Sequence, residues 1–457
     1  MKKFIYTISI LSLIIATSCT KDFEDINTNP NAPSSVQPSL LLRQVIYDFG
    51  ENMSYEGFVA GDLLAQHRTA LDFNLFDRHA LKSPQLGGNP WPIFYTNLRD
   101  NEIILNQSQT VETFAVYEGP AFNGIDGTVT PAYDLQEDIY LGDNGILDNL
   151  NKGIAAIEAY SDAIPLEGDI LFNGDLQAWI KFANALKIKH LVRIADKVDV
   201  SNTLQTLYDE GDYIISNSEN AIFNFTNTDP NSFRLAQLRI GDFNNFVLSE
   251  TMETILVGLN DTRLSSLFRP FSNSTANEFN GLINGIDASS TSIALANYSL
   301  ASTAFREDTS TLDANFITAW EVQFSLAEAA AKGIISADAQ SLYNTGVTLA
   351  FEYWNTELPA NYLTGPAAYN AFGSNPIEQI LTQKWIANVI NGYEGWVDYR
   401  RTGFPELRTI SASLNNDLIP IRMPYPAEEA VLNFENYNVA AMATDNNSIN
   451  VPVWWNE

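Results

Sequence analysis

The sequence predicts a mainly α fold: a scaffold of paired helices with loop-rich insertions and a few short strands. Three observations carry this reading. Apolar residues recur at three- and four-residue steps in segment after segment, which places them on one face of an α-helix. Small residues gather where two helices would cross, as at Ala327, Ala329, Ala330 and Ala331. The stretches 200–240 and 265–315 are instead rich in Asn, Ser, Thr and Gly, with brief alternating runs such as Ala221-Ile222-Phe223-Asn224-Phe225. No strict period of about 34 residues is present, so the repeat character rests on helix pairing alone.

Taken in order, the chain opens on Lys2 and Lys3, followed by an apolar run from Phe4 to Ala16. A hydrocarbon core takes about 20 apolar residues in helical form, so this run is too short to span and residues 1–18 read as an export signal. Ala16, Thr17 and Ser18 lead into Cys19, the only cysteine of the chain. A cysteine directly after small residues is the pattern of a bacterial lipoprotein signal, which makes Cys19 the expected lipidation site. An ordinary secretory signal with a chance cysteine is the plainer alternative. Residues 19–39 form the expected tether, with Lys21, Asp22, Glu24 and Asp25 followed by the Asn-, Pro- and Ser-rich stretch from Asn27 to Ser39. Residues 40–457 are expected to form a single domain.

In that domain Leu40, Leu41, Val45, Phe49 and Met53 predict a first helix. A second follows Trp91-Pro92 with Phe94, Leu98, Ile103 and Leu105, and a third runs from Ile146 to Tyr160. The clearest pattern lies between Asp175 and Lys197. Asp175 is a natural N-cap, and Leu176, Trp179, Ile180, Ala183, Leu186, His190, Leu191 and Ile194 fall on one face. Lys181, Lys187, Lys189, Arg193 and Lys197 are expected on the remaining surface, towards the C-terminal end where the helix dipole favours cations. Further helices are expected at Phe243–Leu259, Ala319–Ala331, Ala337–Asn355 and Pro376–Asn391.

Composition limits the function. The formal net charge is −30 and the pI about 4.3. Such a surface repels phosphate backbones, which argues against nucleic acid as a partner. One cysteine allows no internal disulfide. Catalytic signatures are missing: the chain has no Gly-x-Ser-x-Gly elbow, no phosphate-binding glycine loop and no His-Glu-x-x-His. His67, His79 and His190 lie on separate segments, and His190 reads as a satisfied core residue. The turn Leu141-Gly142-Asp143-Asn144-Gly145 offers oxygen ligands of the kind calcium takes, without the spacing of an EF-hand loop. An ordinary turn is the plainer reading there, and no cofactor or metal is expected. The 55 acidic residues produce many accidental carboxylate pairs, and nothing singles out one suited to glycoside hydrolysis.

Aromatic residues say more. Eight Trp, 19 Tyr and 26 Phe exceed what packing demands. Sugar rings stack their C–H faces on flat aromatic side chains while Asn and Arg bond the hydroxyls. Trp91 follows Gly87-Gly88-Asn89-Pro90 and so enters a helix from a loop, a good place for ligand contact. Trp91 with Asn74, Asn89 and Arg68, and with Tyr55 and Phe73 nearby, form the candidate ligand-binding set; core or loop packing is the alternative for each.

In the C-terminal half, Gln383-Lys384-Trp385-Ile386-Ala387 leads to Glu394, Trp396, Asp398, Tyr399, Arg400, Arg401, Gly403 and Pro405. Ile419-Pro420-Ile421-Arg422-Met423-Pro424-Tyr425-Pro426, Glu428, Glu429, Asn433 and Asn436-Tyr437 follow, and Pro452-Val453-Trp454-Trp455 closes the chain. These blocks, with Glu321–Gly333, Trp179–Leu186 and the Asn27–Asn31 stretch, resemble the SusD/RagB family of nutrient-binding outer-membrane lipoproteins of Bacteroidetes. The resemblance implies tetratricopeptide-like helix pairs as scaffold and loop insertions as ligand face. It also implies a lipid-anchored position at the outer membrane, facing the cell exterior, and a SusC-like TonB-dependent transporter as partner. The ligand would be an oligosaccharide, or in the RagB-like alternative a peptide, with no chemistry performed on it; an exported helical glycoside hydrolase is the enzyme alternative. Physically, Arg400 and Arg401 are expected to clamp carboxylates such as Glu394 or Asp398, and Trp385 and Trp396 to be buried.

Overall fold

The computed structural model describes residues 36–82, 87–107, 130–160, 166–289, 292–308, 312–371, 373 and 375–456. Cys19, the expected export signal and the expected tether up to residue 35 lie outside the described residues. Among the described residues no helix is long and apolar enough to cross a membrane.

Helix α1, Pro38–Glu56, begins with Pro38 at its first turn, where the missing N–H costs nothing. It buries Leu41, Leu42, Val45 and Ile46 and runs on through a wide π-turn at Gly57–Gly61. Helix α2, Trp91–Gln107, packs along it. The short helix α3, Gln136–Leu141, precedes α4, Ile146–Ala159, which pairs with α5, Leu176–Ile194. Asp175 caps α5 as expected, accepting from the backbone N–H groups of Gln177 and Ala178 at 3.0 and 3.1 Å.

Helix α6, Ser201–Glu210, lies in a stretch expected to be loop; only Leu204 and Leu207 are buried, so its periodic apolar signal is thin. Helix α7 covers Glu250–Leu259 rather than starting at Phe243, because Ser249 caps it with its hydroxyl on the Met252 N–H at 2.9 Å. The preceding Phe246–Leu248 is a strand instead.

Helices α8, Ala319–Ala331, and α9, Ala339–Tyr353, form a tight pair. α8 is buried continuously from Ala319 to Ala329 and also meets α5 and α10, Pro376–Ala387. Helix α11, Gly392–Thr402, pairs with α10, and α12, Phe434–Ala443, lies near the C-terminus. The expected scaffold of tetratricopeptide-like helix pairs is therefore present, as α4/α5, α8/α9 and α10/α11.

Strands are few and short. β1, Arg68–Ala70, pairs antiparallel with β3, Phe246–Leu248, in the register Arg68↔Leu248 and Ala70↔Phe246. β2, Ala221–Phe223, pairs antiparallel with β4, Ala314–Ile317, with an irregularity after Ala221.

One dominant hydrophobic cluster extends from Leu41 to Trp455 and takes in Trp179, Trp320, Trp385 and Trp396. The expected burial of Trp385 and Trp396 holds, at 1% and 2% exposure. Their indole N–H groups donate to the Ala65 and Pro420 carbonyls at 2.9 and 2.8 Å.

Two expectations about charge are corrected. Lys189 and Arg193 of α5 are not surface cations: Lys189 bridges Glu321 at 3.0 Å and Glu394 at 3.1 Å, and Arg193 reaches Glu394 at 2.5 Å. They tie α5 to α8 and α11, since a charge between packed helices must be paired. Arg401 does clamp carboxylates, Asp398 at 3.0 Å and Glu328 bidentately. Arg400 does not. It lies between the rings of Trp396 and Trp455, 3.8 and 4.9 Å from their centroids, and donates to the Ile421 carbonyl at 3.0 Å.

Candidate functional site

A cavity of about 700 Å³ opens among the described residues, within the range of small-molecule sites. Its walls come from distant parts of the chain: α1, α2, residues 132–139, α4 and α5, the middle of β4, the start of α11, and Arg422 with Tyr425. Helical periodicity builds one wall, because Trp91, Phe94, Tyr95 and Leu98 fall at three- and four-residue steps on α2.

One end of the cavity is aromatic. Trp91 stacks tilted on Tyr95 at 5.1 Å between centroids and meets Tyr133 and Tyr425 edge-on at 6.1 and 6.4 Å. Tyr133 and Tyr425 lie 4.7 Å apart, and the Tyr133 hydroxyl donates to Glu429 at 2.5 Å. Burial and the neighbouring carboxylate push the Tyr133 phenol far up, and burial with Glu429 raises Tyr95 to about 12. Both hydroxyls therefore stay protonated and can donate. A second aromatic group also lines the cavity: Phe316 stacks on Phe49 at 5.8 Å, Phe94 reaches Phe49 at 5.9 Å, and Phe182 meets Phe316 at 6.4 Å.

Polar groups interrupt this lining. Lys189 and Glu394 line it as members of the buried ion-pair group. Burial opposes the charge on Lys189, but Glu321 and Glu394 outweigh it and hold the amine raised. Burial likewise opposes the Glu394 charge, yet Arg193 and Lys189 hold its carboxyl well below the ordinary glutamate range. His190 is not the satisfied core residue expected. Its ring faces the cavity and Nδ1 has no partner, while burial, then Arg193 and Lys189, lower it to about 3, so the ring is neutral. Asn97 is held by Asp48 and the Ile93 carbonyl, both at 2.8 Å.

Of the sequence-predicted ligand residues, Trp91 alone lines this cavity. Arg68 is fully buried on β1; its Nε donates to Asp62 at 3.0 Å and its guanidinium lies 4.5–4.9 Å from the rings of Phe58, Phe268 and Phe305. Asn74 is also buried and donates to the Ile286 carbonyl at 2.6 Å. Neither reaches solvent, so both serve the fold. Phe73 is 46% exposed at a left-handed position with φ +50°, away from the cavity lining. Tyr55 is half-buried beneath the Arg234 guanidinium, at 5.2 Å, and Asn89 is half-buried in the turn entering α2. Sequence reasoning missed Tyr95, Tyr133 and Tyr425. The i, i+3, i+4 aromatic spacing on α2 was a usable signal for Tyr95; Tyr133 and Tyr425 come together only through long-range folding.

Among the described residues no cluster of three His, Cys, Asp or Glu side chains is placed to hold a metal ion. The Gly142–Gly145 turn is closed by the Gly145 N–H on the Gly142 carbonyl at 2.8 Å, and Asp148 accepts from the Asn144 N–H at 2.8 Å.

Comparison with known proteins adds to this geometry. The SusD-like family model, described as "Starch-binding associating with outer membrane", matches residues 116–426. No curated protein matches the chain. Among solved structures that share the fold is a chitin-binding protein, 22% identical with a TM-score of 0.78, covering 92% of this chain and 100% of that one. A SusD homologue from Bacteroides uniformis is 24% identical with a TM-score of 0.74, covering 91% and 99%. A chitin-binding SusD homologue from Flavobacterium johnsoniae is 19% identical with a TM-score of 0.74, covering 91% and 98%.

Proposed function

Because the chain belongs to the SusD-like family of outer-membrane-associated proteins, we propose that it captures nutrient oligosaccharides at the cell surface, anchored through a lipid on Cys19, and passes them to a SusC-like TonB-dependent transporter. It performs no chemistry on them. The single observation that carries the reading is the aromatic end of the cavity, where Trp91, Tyr95, Tyr133 and Tyr425 offer flat faces beside protonated hydroxyls. Such faces stack on sugar rings without requiring a fixed sequence of hydroxyl contacts, which suits capture rather than turnover. The chitin-binding relatives support a glycan as the ligand class.

Calorimetry of the full chain against a panel of glycans tests this. Trp91→Ala is expected to weaken the tightest ligand about tenfold, the loss of about 1.4 kcal/mol of ring contact. Wild-type affinity in that variant removes Trp91 from the site. Sustained release of reducing ends by the purified protein overturns the non-catalytic reading, and a Cys19→Ala chain that still fractionates with membranes overturns the lipid anchor. The Phe49, Phe94, Phe182 and Phe316 lining favours a second reading, a peptide ligand inserting apolar side chains. Peptides in the same calorimetry separate the two.

A further inference from the structure

Arg422 stands out along the cavity wall. It is only 4% exposed, yet among the described residues it forms no ion pair. Its Nε makes one long contact, 3.4 Å to the Met423 carbonyl; Nη1 has no hydrogen-bond partner, and the guanidinium lies 5.3 Å from the Tyr425 ring. Buried charges in folded proteins are paired or bound to something that completes them. The carboxylates near the aromatic end do not complete this one, since Glu429 takes the Tyr133 hydroxyl instead. Behind the wall the imbalance continues. Arg400 carries no carboxylate either, and burial, then Arg193 and among lesser influences Arg422, lower it to about 9. Glu394, which lines the same cavity, is already shared between Lys189 and Arg193. A chain of net charge −30 thus keeps an uncompensated guanidinium beside its aromatic cluster.

We propose that Arg422 forms a carboxylate-binding subsite, and that the saccharides selected here are acidic ones carrying a uronate-type or sialate-type carboxylate. This rests on the glycan-capture reading and narrows its ligand class. The planar guanidinium matches a carboxylate with two parallel N–H bonds, while the sugar ring that bears it lies against the adjoining aromatic faces. The carboxylate supplies the counter-charge that the fold withholds.

The test is calorimetry with oligogalacturonides, sialyllactose and glucuronate-bearing xylo-oligosaccharides, each against its carboxyl-reduced or desialylated neutral counterpart. At least one acidic probe is expected to bind about tenfold more tightly than its neutral counterpart. Arg422→Gln is expected to erase that preference and Arg422→Lys to restore part of it. Equal affinity within every pair, binding confined to neutral probes, or no binding by any acidic probe overturns the proposal. So does a stronger response to an acidic hexapeptide than to every acidic sugar. The paired comparison needs only the wild-type chain, so it decides the matter even where Arg422→Gln does not fold. Neutral glycans that bind through Trp91 with no acidic preference sink this subsite and leave the capture reading standing; binding of neither kind removes both.

Discussion

His79 and His190 give the chain a defined response to acid. Burial lowers His79 to about 4, and burial with two neighbouring cations lowers His190 to about 3. In the unfolded chain both return to the ordinary value near 6.5. For these groups the unfolded state takes up protons first as pH falls, so their contribution to stability is full above pH 6.5 and drains away below it, by about 1 kcal/mol per pH unit for each histidine. Asp313, raised by burial to about 6, offsets part of the loss. Glu394, held below its ordinary range, adds to the loss in the same direction once pH falls through the usual glutamate range. Thermal melts from pH 7.5 to 4.5 should show the midpoint falling below 6.5. His79→Asn, which tolerates the left-handed backbone at φ +65°, should flatten part of that slope; an unchanged slope would mean that His79 does not titrate as its burial implies. At this scale the sequence was legible only in part. Trp91 announced itself by its loop-to-helix position, but the same loop logic favoured Arg68 and Asn74, which the fold buries. Polarity alone does not separate an arginine that meets ligand from one stacked among three phenylalanines.

Helices were the most readable level, because apolar residues at helical steps report burial directly. The helices at 146–159, 176–194 and 319–331 fall nearly where the pattern put them. The misses share a cause: α6, α11 and α12 bury few apolar side chains relative to their length or mix polar groups into the buried face, so their period is weak. In α11 the contacts are made partly by backbone. A Cβ on Gly392 would lie 2.2 Å from the Asp62 nitrogen, and one on Gly61 2.4 Å from the Tyr393 nitrogen. The extension of α1 and the start of α11 cross with nothing between them. Gly392→Ala must push two backbones apart and should cost about 2–3 kcal/mol in urea unfolding. A stability within error of wild type would show that the crossing is slack. Asp175→Ala, which removes the cap of α5, should cost about 1 kcal/mol by the same measurement.

On the scale of the molecule, one hydrophobic cluster joins Leu41 to Trp455, and ion pairs stitch α5, α8, α10 and α11 across it. Residues 40–457 should therefore unfold as one unit. Tryptophan fluorescence and far-ultraviolet circular dichroism are expected to give coincident urea transitions, and separated midpoints would divide the chain into independent parts. Sequence reading reached the family and the scaffold because their signals are local. It could not reach the cavity, whose walls lie more than 300 residues apart in the chain, from Val45 on α1 to Tyr425.

That separation has a consequence for the life of the protein in the cell. The wall formed by Arg422 and Tyr425 is synthesised long after the α1 wall of the same cavity. A chain cut off before Arg422 cannot present a finished cavity. A closed cavity is thus a sign that two segments made far apart in time have found each other.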